Sequence, residues 1–175
     1  MEFYYEETRF KMPTFKNYKD FEKFFNSKLQ KAMELTRDEV FEIVSQKVID
    51  YYNEPVFNNP DPTEPDYYKR TGTLMESLSG GKVIAHDNYY SFICGFDDEY
   101  LEYRYPKGFS KRGAQNQYNG ITGEQVLKAF NSGTHGYIVQ GDHNYWDETI
   151  EEIQTRGGLD GILKRNLKRL GIPIM

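Results

Sequence analysis

Residues 17–53 read NYKDFEKFFNSKLQKAMELTRDEVFEIVSQKVIDYYN, a stretch with neither glycine nor proline. Phe21, Phe25, Leu29, Ala32, Val40, Ile43, Val44 and Tyr51 recur in it at three- and four-residue steps, the period of one buried helix face. Lys19, Glu22, Lys23, Lys31, Glu34, Arg37, Asp38 and Glu42 mostly fall elsewhere on the wheel. At 1.5 Å per residue this helix runs roughly 55 Å. A single domain of this chain length has a radius of gyration of about 16 Å, hence a globule about 40 Å across. A straight helix overhangs such a globule. Either it bends, or part of its apolar face, with Phe21, Phe25, Leu29 and Tyr51 as the candidates, packs on another molecule.

A bend has its own signal. Thr36-Arg37-Asp38-Glu39 fits a capping box, a hydroxyl residue followed three positions later by Glu, just before Val40 and Phe41. The apolar stripe also turns by roughly a quarter of a circle between the two halves. One helix with Thr36 inside it and a kink at 35–37 both stay open. Either way the helix is a scaffold without a catalytic pattern.

A chain of 175 residues is one domain with a real core. Its 15 Tyr and 12 Phe make it unusually aromatic. Tyr pairs a large apolar body with a polar tip, which suits interfaces that are first soluble, and equally a thin, half-exposed sheet. A net charge of −5 argues against a general nucleic-acid binder. The charge is uneven: residues 55–103 hold three basic and nine acidic side chains, whereas 104–121 hold Arg104, Lys107, Lys111 and Arg112 and no acid. The single cysteine, Cys94, excludes an internal disulfide. No apolar run approaches membrane-spanning length, and MEFYYEETRF is not a signal peptide, so a soluble protein made in a cytoplasm is expected.

Residues 1–16 read as an extended arm and 17–175 as a single domain. Four prolines make 54–66 a stiff linker. Gly72 allows a sharp turn, after which Thr73 caps a short helix with Glu76 at the reciprocal position and Leu74 and Leu78 on one face. Residues 82–86 and 89–96 flank Asp87-Asn88 as a hairpin, with Tyr90, Phe92, Cys94 and Phe96 on one side. Asp97-Asp98-Glu99 turns the chain into a third strand over 100–105, giving an antiparallel meander on the long helix. Residues 106–121 form a basic, Gly-rich loop without periodicity. Thr122 caps a helix over 123–131 with Val126, Leu127 and Phe130 inward, and Gly133 follows in the left-handed position. Residues 137–139 suit an edge strand. Asn144 caps a helix bearing Trp146, Ile150 and Ile153, and Gly157-Gly158 interrupts it. A last helix buries Leu159, Ile162, Leu163, Leu167 and Leu170 before Gly171 and Pro173 stop it.

Little in this points to catalysis. His135 and His143 with Asp142 and Asp147 are a metal-like set, but their spacing matches no recurring ligand motif. Cys94 sits mid-strand among aromatics as a small core residue. No phosphate loop, nucleophile elbow or zinc-protease helix is present, and no cofactor is implied. The basic loop is the best binding candidate: Arg104, Lys107, Lys111 and Arg112 with interleaved aromatics suit phosphate contact or stacking. A solvated loop, or docking on the acidic 55–103 surface of an adjacent copy, are its alternatives.

Tyr68-Lys69-Arg70-Thr71-Gly72-Thr73-Leu74-Met75-Glu76-Ser77 resembles the head–tail joining or tail-completion proteins of long-tailed bacteriophages, in which an aromatic residue precedes Arg-Thr-Gly-x-Leu and a Ser. Ile121-Thr122-Gly123-Glu124-Gln125-Val126-Leu127, Phe130-Asn131-Ser132-Gly133-Thr134-His135-Gly136 and Tyr145-Trp146-Asp147 resemble the C-terminal half of minor-capsid or neck proteins in phages of Gram-positive hosts. The resemblance implies a non-enzymatic virion component assembling as a sixfold or twelvefold ring between portal and tail. It makes Arg70, Thr71, Gly72 and Leu74 one structural turn and Gly133 and Gly136 another. The long linker and loop leave its head-side or tail-side position open.

The expectation is therefore an α+β domain: a small antiparallel sheet on a long N-terminal helix, closed by C-terminal helices. Its expected role is that of a homo-oligomeric neck subunit meeting portal or tail proteins, with DNA in the channel a further partner. It is placed in the virion, and in the host cytoplasm during assembly, with no membrane partner. The alternatives are a nucleic-acid-contacting module at 104–112 and a small metal-dependent enzyme at His135, Asp142 and His143.

Overall fold

Helix α1 (Tyr18–Asn53) runs unbroken through residues 35–37, and the other elements are laid along it. The computed structural model describes residues 13–53, 72–101, 103–104, 120–132, 134–135, 138–139 and 144–174. Asn17 caps α1, its Oδ1 accepting from the Asp20 N–H at 2.9 Å. The capping box at Thr36 is not used. The Thr36 hydroxyl donates instead to the Ala32 carbonyl one turn back at 2.8 Å, the usual way a mid-helix Thr satisfies itself.

Three apolar clusters are strung on α1. Val48 and Tyr51 meet Leu74, Leu101, Phe130 and Tyr145. Val40 and Ile43 meet Ile153 and Ile162, with Phe92 and Cys94 against them. Ala32 meets Leu167 and Ile172, flanked by Phe24, Phe25, Leu29 and Leu170. The quarter-turn of the stripe is thus matched by a change of packing partner rather than by a kink.

Helices α4 (Tyr145–Thr155) and α5 (Gly158–Arg169) retrace α1 in the opposite direction. Tyr145 sits beside Tyr51, Ile153 beside Ile43, and Leu167 beside Ala32. Asn144 caps α4 by accepting from the Asp147 N–H at 3.1 Å. Gly157 and Gly158, both at positive φ (91° and 69°), turn the chain between the two helices, a conformation L side chains resist.

Among the described residues the β structure is four two-stranded antiparallel ladders of two residues per strand. β1 (Leu78–Ser79) pairs with β4 (Gly95–Phe96), and β2 (Ile84–Ala85) with β3 (Tyr90–Ser91), nested as one hairpin around Asp87-Asn88. Between Ser79↔Gly95 and Ile84↔Ser91 one side of the hairpin has one residue more than the other, a bulge. Gly81 lies in it at φ 59°, and a Cβ there would stand 2.5 Å from the Ile93 carbonyl oxygen. The expected alternation holds: Phe92 and Cys94 face the middle cluster and Phe96 the first, while Ile93 is 80% exposed.

The meander stops there. Residues Glu99–Leu101 form a 3-10 turn that buries Leu101, because Asp97 Oδ1 accepts from the Glu99 and Tyr100 N–H groups and coils the chain. β5 (Tyr103–Arg104) then pairs with β6 (Gly120–Ile121), across the span read as a basic loop, rather than with the hairpin. α2 (Thr73–Ser77) is capped by Gly72 at φ 84°, not by Thr73. Leu74 and Leu78 are buried together as expected.

α3 (Gly123–Ser132) carries a true reciprocal cap: Gln125 N–H donates to Thr122 Oγ1 at 3.4 Å, and Thr122 N–H to Gln125 Oε1 at 3.0 Å. β7 (Thr134–His135) and β8 (Ile138–Val139) form the last ladder. The architecture is α+β, a spine helix with small sheets and closing helices.

Candidate functional site

Two surfaces stand out among the described residues, and the first is built by the hairpin, α1 and α4. The hairpin is held against α1 by Arg37, whose Nη1 donates to the Gly81 carbonyl at 3.0 Å while Nη2 pairs with Asp38 at 2.6 Å. Further along, the Tyr90 hydroxyl donates to the Asn26 carbonyl at 3.4 Å. The hairpin is therefore set down beside α1, opposite α4.

Between them lies an apolar groove of about 250 Å³, with Val40, Val44, Phe92, Cys94 and Ile153 at its floor and sides. Its rim is formed by Trp146 (39% exposed), Ile150 (44%) and Leu159 (52%). The backbone N–H of Trp146 donates to Asn131 Oδ1 at 3.2 Å, tying the start of α4 to α3. Burial pushes the Cys94 thiol above its ordinary pKa, so it stays protonated at neutral pH. Ion pairs tie α1 to the two closing helices and the turn between them. Lys47 Nζ reaches Glu148 at 3.3 Å and Glu152 at 3.7 Å, and Glu39 receives Arg156 at 3.4 Å and Arg165 at 3.0 Å. Asp147 and Glu151 are exposed on the outer edge of α4.

The second surface is the start of α1. Phe15, Phe21, Phe24 and Phe25 form an aromatic row: Phe15–Phe21 at 5.4 Å edge-on, Phe15–Phe24 at 5.1 Å and Phe21–Phe25 stacked at 6.0 Å. Phe24 and Phe25 lean on the C-terminal cluster of Leu170, Ile172 and Ile174. Tyr18 stays 75% exposed and Phe21 36%.

The residues singled out in the sequence are distributed as follows. Of the candidate interface set, Phe21 is exposed and Phe25 and Leu29 are half-buried against the chain's own C-terminus. Tyr51 is a correction: it is 4% exposed, edge-on to Phe130 and Tyr145 at 5.2 and 5.4 Å, and so belongs to the chain's own core. The overhang inferred from helix length thus survives only over the first turns.

Gly72 and Leu74 form their turn; Arg70, Thr71, Gly133 and Gly136 lie outside the described residues. Arg104 is on β5, while Lys107, Lys111 and Arg112 lie outside the described residues. His135 is on β7; Asp142 and His143 lie outside them. Among the described residues no group of three His, Cys, Asp or Glu is placed to hold a metal ion. Among them, too, no helix is long and apolar enough to cross a membrane.

The groove was missed in the sequence because Trp146, Ile150 and Leu159 follow core spacing. Leu159, expected inside, is turned out by the two positive-φ glycines just before it.

No curated protein and no solved structure matches the chain. A family model does: the one described as YomN matches residues 17–169, from the Asn17 cap of α1 to the last residue of α5. With the spine helix and both retracing helices inside that match, the chain belongs to the YomN family and is a phage-associated protein.

Proposed function

We propose that this protein is a structural subunit of the neck of a long-tailed bacteriophage, a head–tail connector or tail-completion protein that works by assembly rather than catalysis. The observation that carries the reading is the start of α1. A 36-residue helix is about 54 Å long, and its first turns present Tyr18 and Phe21 to solvent. Exposed aromatics on a rigid rod are what an assembly contact uses, since Tyr and Phe bury large areas at little entropic cost. The phage-associated family and the Arg-Thr-Gly turn resemblance point the same way.

In this reading the protein forms a homo-oligomeric ring, meets portal, neck or tail proteins, and resides in the virion after assembly in the host cytoplasm. DNA in the channel is then a natural neighbour of Arg104, Lys107, Lys111 and Arg112. Native mass spectrometry and electron microscopy of the purified protein, alone and mixed with portal and tail-tube proteins, test it. Rings or stoichiometric complexes are expected. A monodisperse monomer that binds none of these proteins would falsify the reading.

A further inference from the structure

These two surfaces lie at different points along α1 and cannot meet within one chain. The floor of the groove includes Val40 and Val44 of α1, and Tyr18 is 26 residues before Val44, about 39 Å away along a continuous helix. One surface is convex and the other concave. At the α1 end, Tyr18 and Phe21 project from an aromatic row whose inner members are already packed. At the groove, Trp146, Ile150 and Leu159 frame an opening over an apolar floor.

Charge distinguishes them as well. Residues 16–31 carry Lys16, Lys19, Lys23, Lys28 and Lys31 against Asp20 and Glu22, and with Lys31 paired to Glu34 at 3.0 Å a smaller excess of positive charge remains. Helix α4 carries Asp147, Glu148, Glu151 and Glu152 and no base. Glu148 and Glu152 are offset by Lys47 and Arg156, whereas Asp147, whose carboxylate accepts from Asn144 Nδ2, and Glu151 keep their charge exposed beside Trp146 and Ile150. A basic aromatic projection and an acid-edged apolar groove are complementary in both shape and sign.

We infer that the groove between α1, α4 and the hairpin receives the N-terminal end of α1 from a second copy of this chain, Tyr18 and Phe21 entering over Trp146 and Ile150. The inference rests on the ring reading above and names its contact surface. Each copy offers one projection and one groove, so the contact is heterologous, head to tail. Repetition of such a contact closes into a ring when the rotation per step permits, whereas a self-complementary contact stops at a dimer.

The head-to-tail geometry has a signature that a symmetric contact lacks. One variant removes the projection (Tyr18→Asp with Phe21→Asp), and another blocks the groove (Ile150→Glu with Leu159→Glu). All four positions are exposed, and far-UV circular dichroism checks the fold of each. By sedimentation velocity the unaltered protein assembles, each variant alone is monomeric, and an equimolar mixture gives one-to-one dimers and nothing larger. That is expected because only one intact projection and one intact groove remain per pair.

A charge swap gives a second measurement that touches no apolar residue. Lys19→Glu with Lys23→Glu weakens assembly, as does Asp147→Lys with Glu151→Lys, and all four in one chain restore it. If the unaltered protein and the variants assemble alike, the interface is overturned while the ring stands. If the mixture stays monomeric although the unaltered protein assembles, the head-to-tail contact is overturned. If the unaltered protein is itself a monomer, both the ring and this interface fall.

Discussion

Asn166 Nδ2 donates to Thr36 Oγ1 at 3.3 Å, tying α5 to the middle of α1 across 130 residues of sequence. Both side chains are almost fully buried, at 1% and 2% exposure, and Thr36 passes its own proton to the Ala32 carbonyl. A buried polar pair of this kind adds little net energy while made, but it is costly to break on one side. Thr36→Val strands the Asn166 amide and should cost about 1–3 kcal/mol. Asn166→Leu leaves Thr36 its helical acceptor and should cost less. With both changes together the loss should fall short of the sum, because no donor is then orphaned. Urea unfolding of the four proteins measures this directly, and simple additivity would show that the two residues are not coupled.

Two glycines are held by close approach rather than by composition. Gly81 combines φ 59° with the Ile93 carbonyl facing the place of its missing Cβ, and a Cβ on Gly123 would collide with the Asp98 carbonyl. Gly81→Ala must therefore open the bulge, and Gly123→Ala must push α3 away from the 3-10 turn at Leu101. Each should destabilise by roughly 1–3 kcal/mol. By contrast Gly95→Ala, with open space around its Cβ, should be close to neutral. Thermal unfolding of the three variants separates these cases, and equal midpoints for all three would contradict the packing described.

Much of this architecture can be read from residues 17–53 and from the caps. The helix period, the Thr122 and Asn144 caps and the Gly157-Gly158 break are local signals, and local signals survive into the fold. Non-local choices are not written so plainly. Thr36 carries the residues of a capping box, yet its hydroxyl is claimed by Ala32 and Asn166, and the latter is invisible at that point in the chain. The strand expected over 100–105 is shortened to Tyr103–Arg104 and paired elsewhere because Asp97 first caps a 3-10 turn, and β1 has no local signal because its partner lies at Phe96. The groove rim has the same spacing as core. Only the positions of α1 and the hairpin decide that Ile153 is covered and Ile150 is not.

Ile172 lies 6% exposed on Ala32 and Leu167, and with Leu170 and Ile174 it covers the inner side of the aromatic row. Gly171 at φ 84° turns the chain so that it returns there. Ile172→Ala should cost about 2–4 kcal/mol, and the loss should be local at first. Amide exchange ought to accelerate over the first turns of α1 well before it does around Val44 and Val48, which rest on other clusters. Uniform acceleration along the whole helix would mean that the tail does not act as a separate clamp.

Cys94 gives a pH-dependent readout of the groove wall. Its thiol is half-buried beside Phe92, and desolvation raises its pKa because the thiolate loses hydration there. At pH 7.5 the thiolate fraction is accordingly lower than in the unfolded chain, and alkylation by iodoacetamide should be slower in the native protein than in urea. The sign of the stability effect follows from the same shift. The unfolded chain releases this proton at lower pH than the folded one, so the contribution is intact below about pH 8.5 and is lost as pH rises through the folded value. The urea midpoint should therefore fall less steeply at alkaline pH in Cys94→Ala than in the unaltered protein. Occupation of the groove by another copy would shield the thiol further, so native labelling should also slow as protein concentration rises. Labelling that is as fast native as unfolded would mean that Cys94 is not covered by the hairpin and α4 at all.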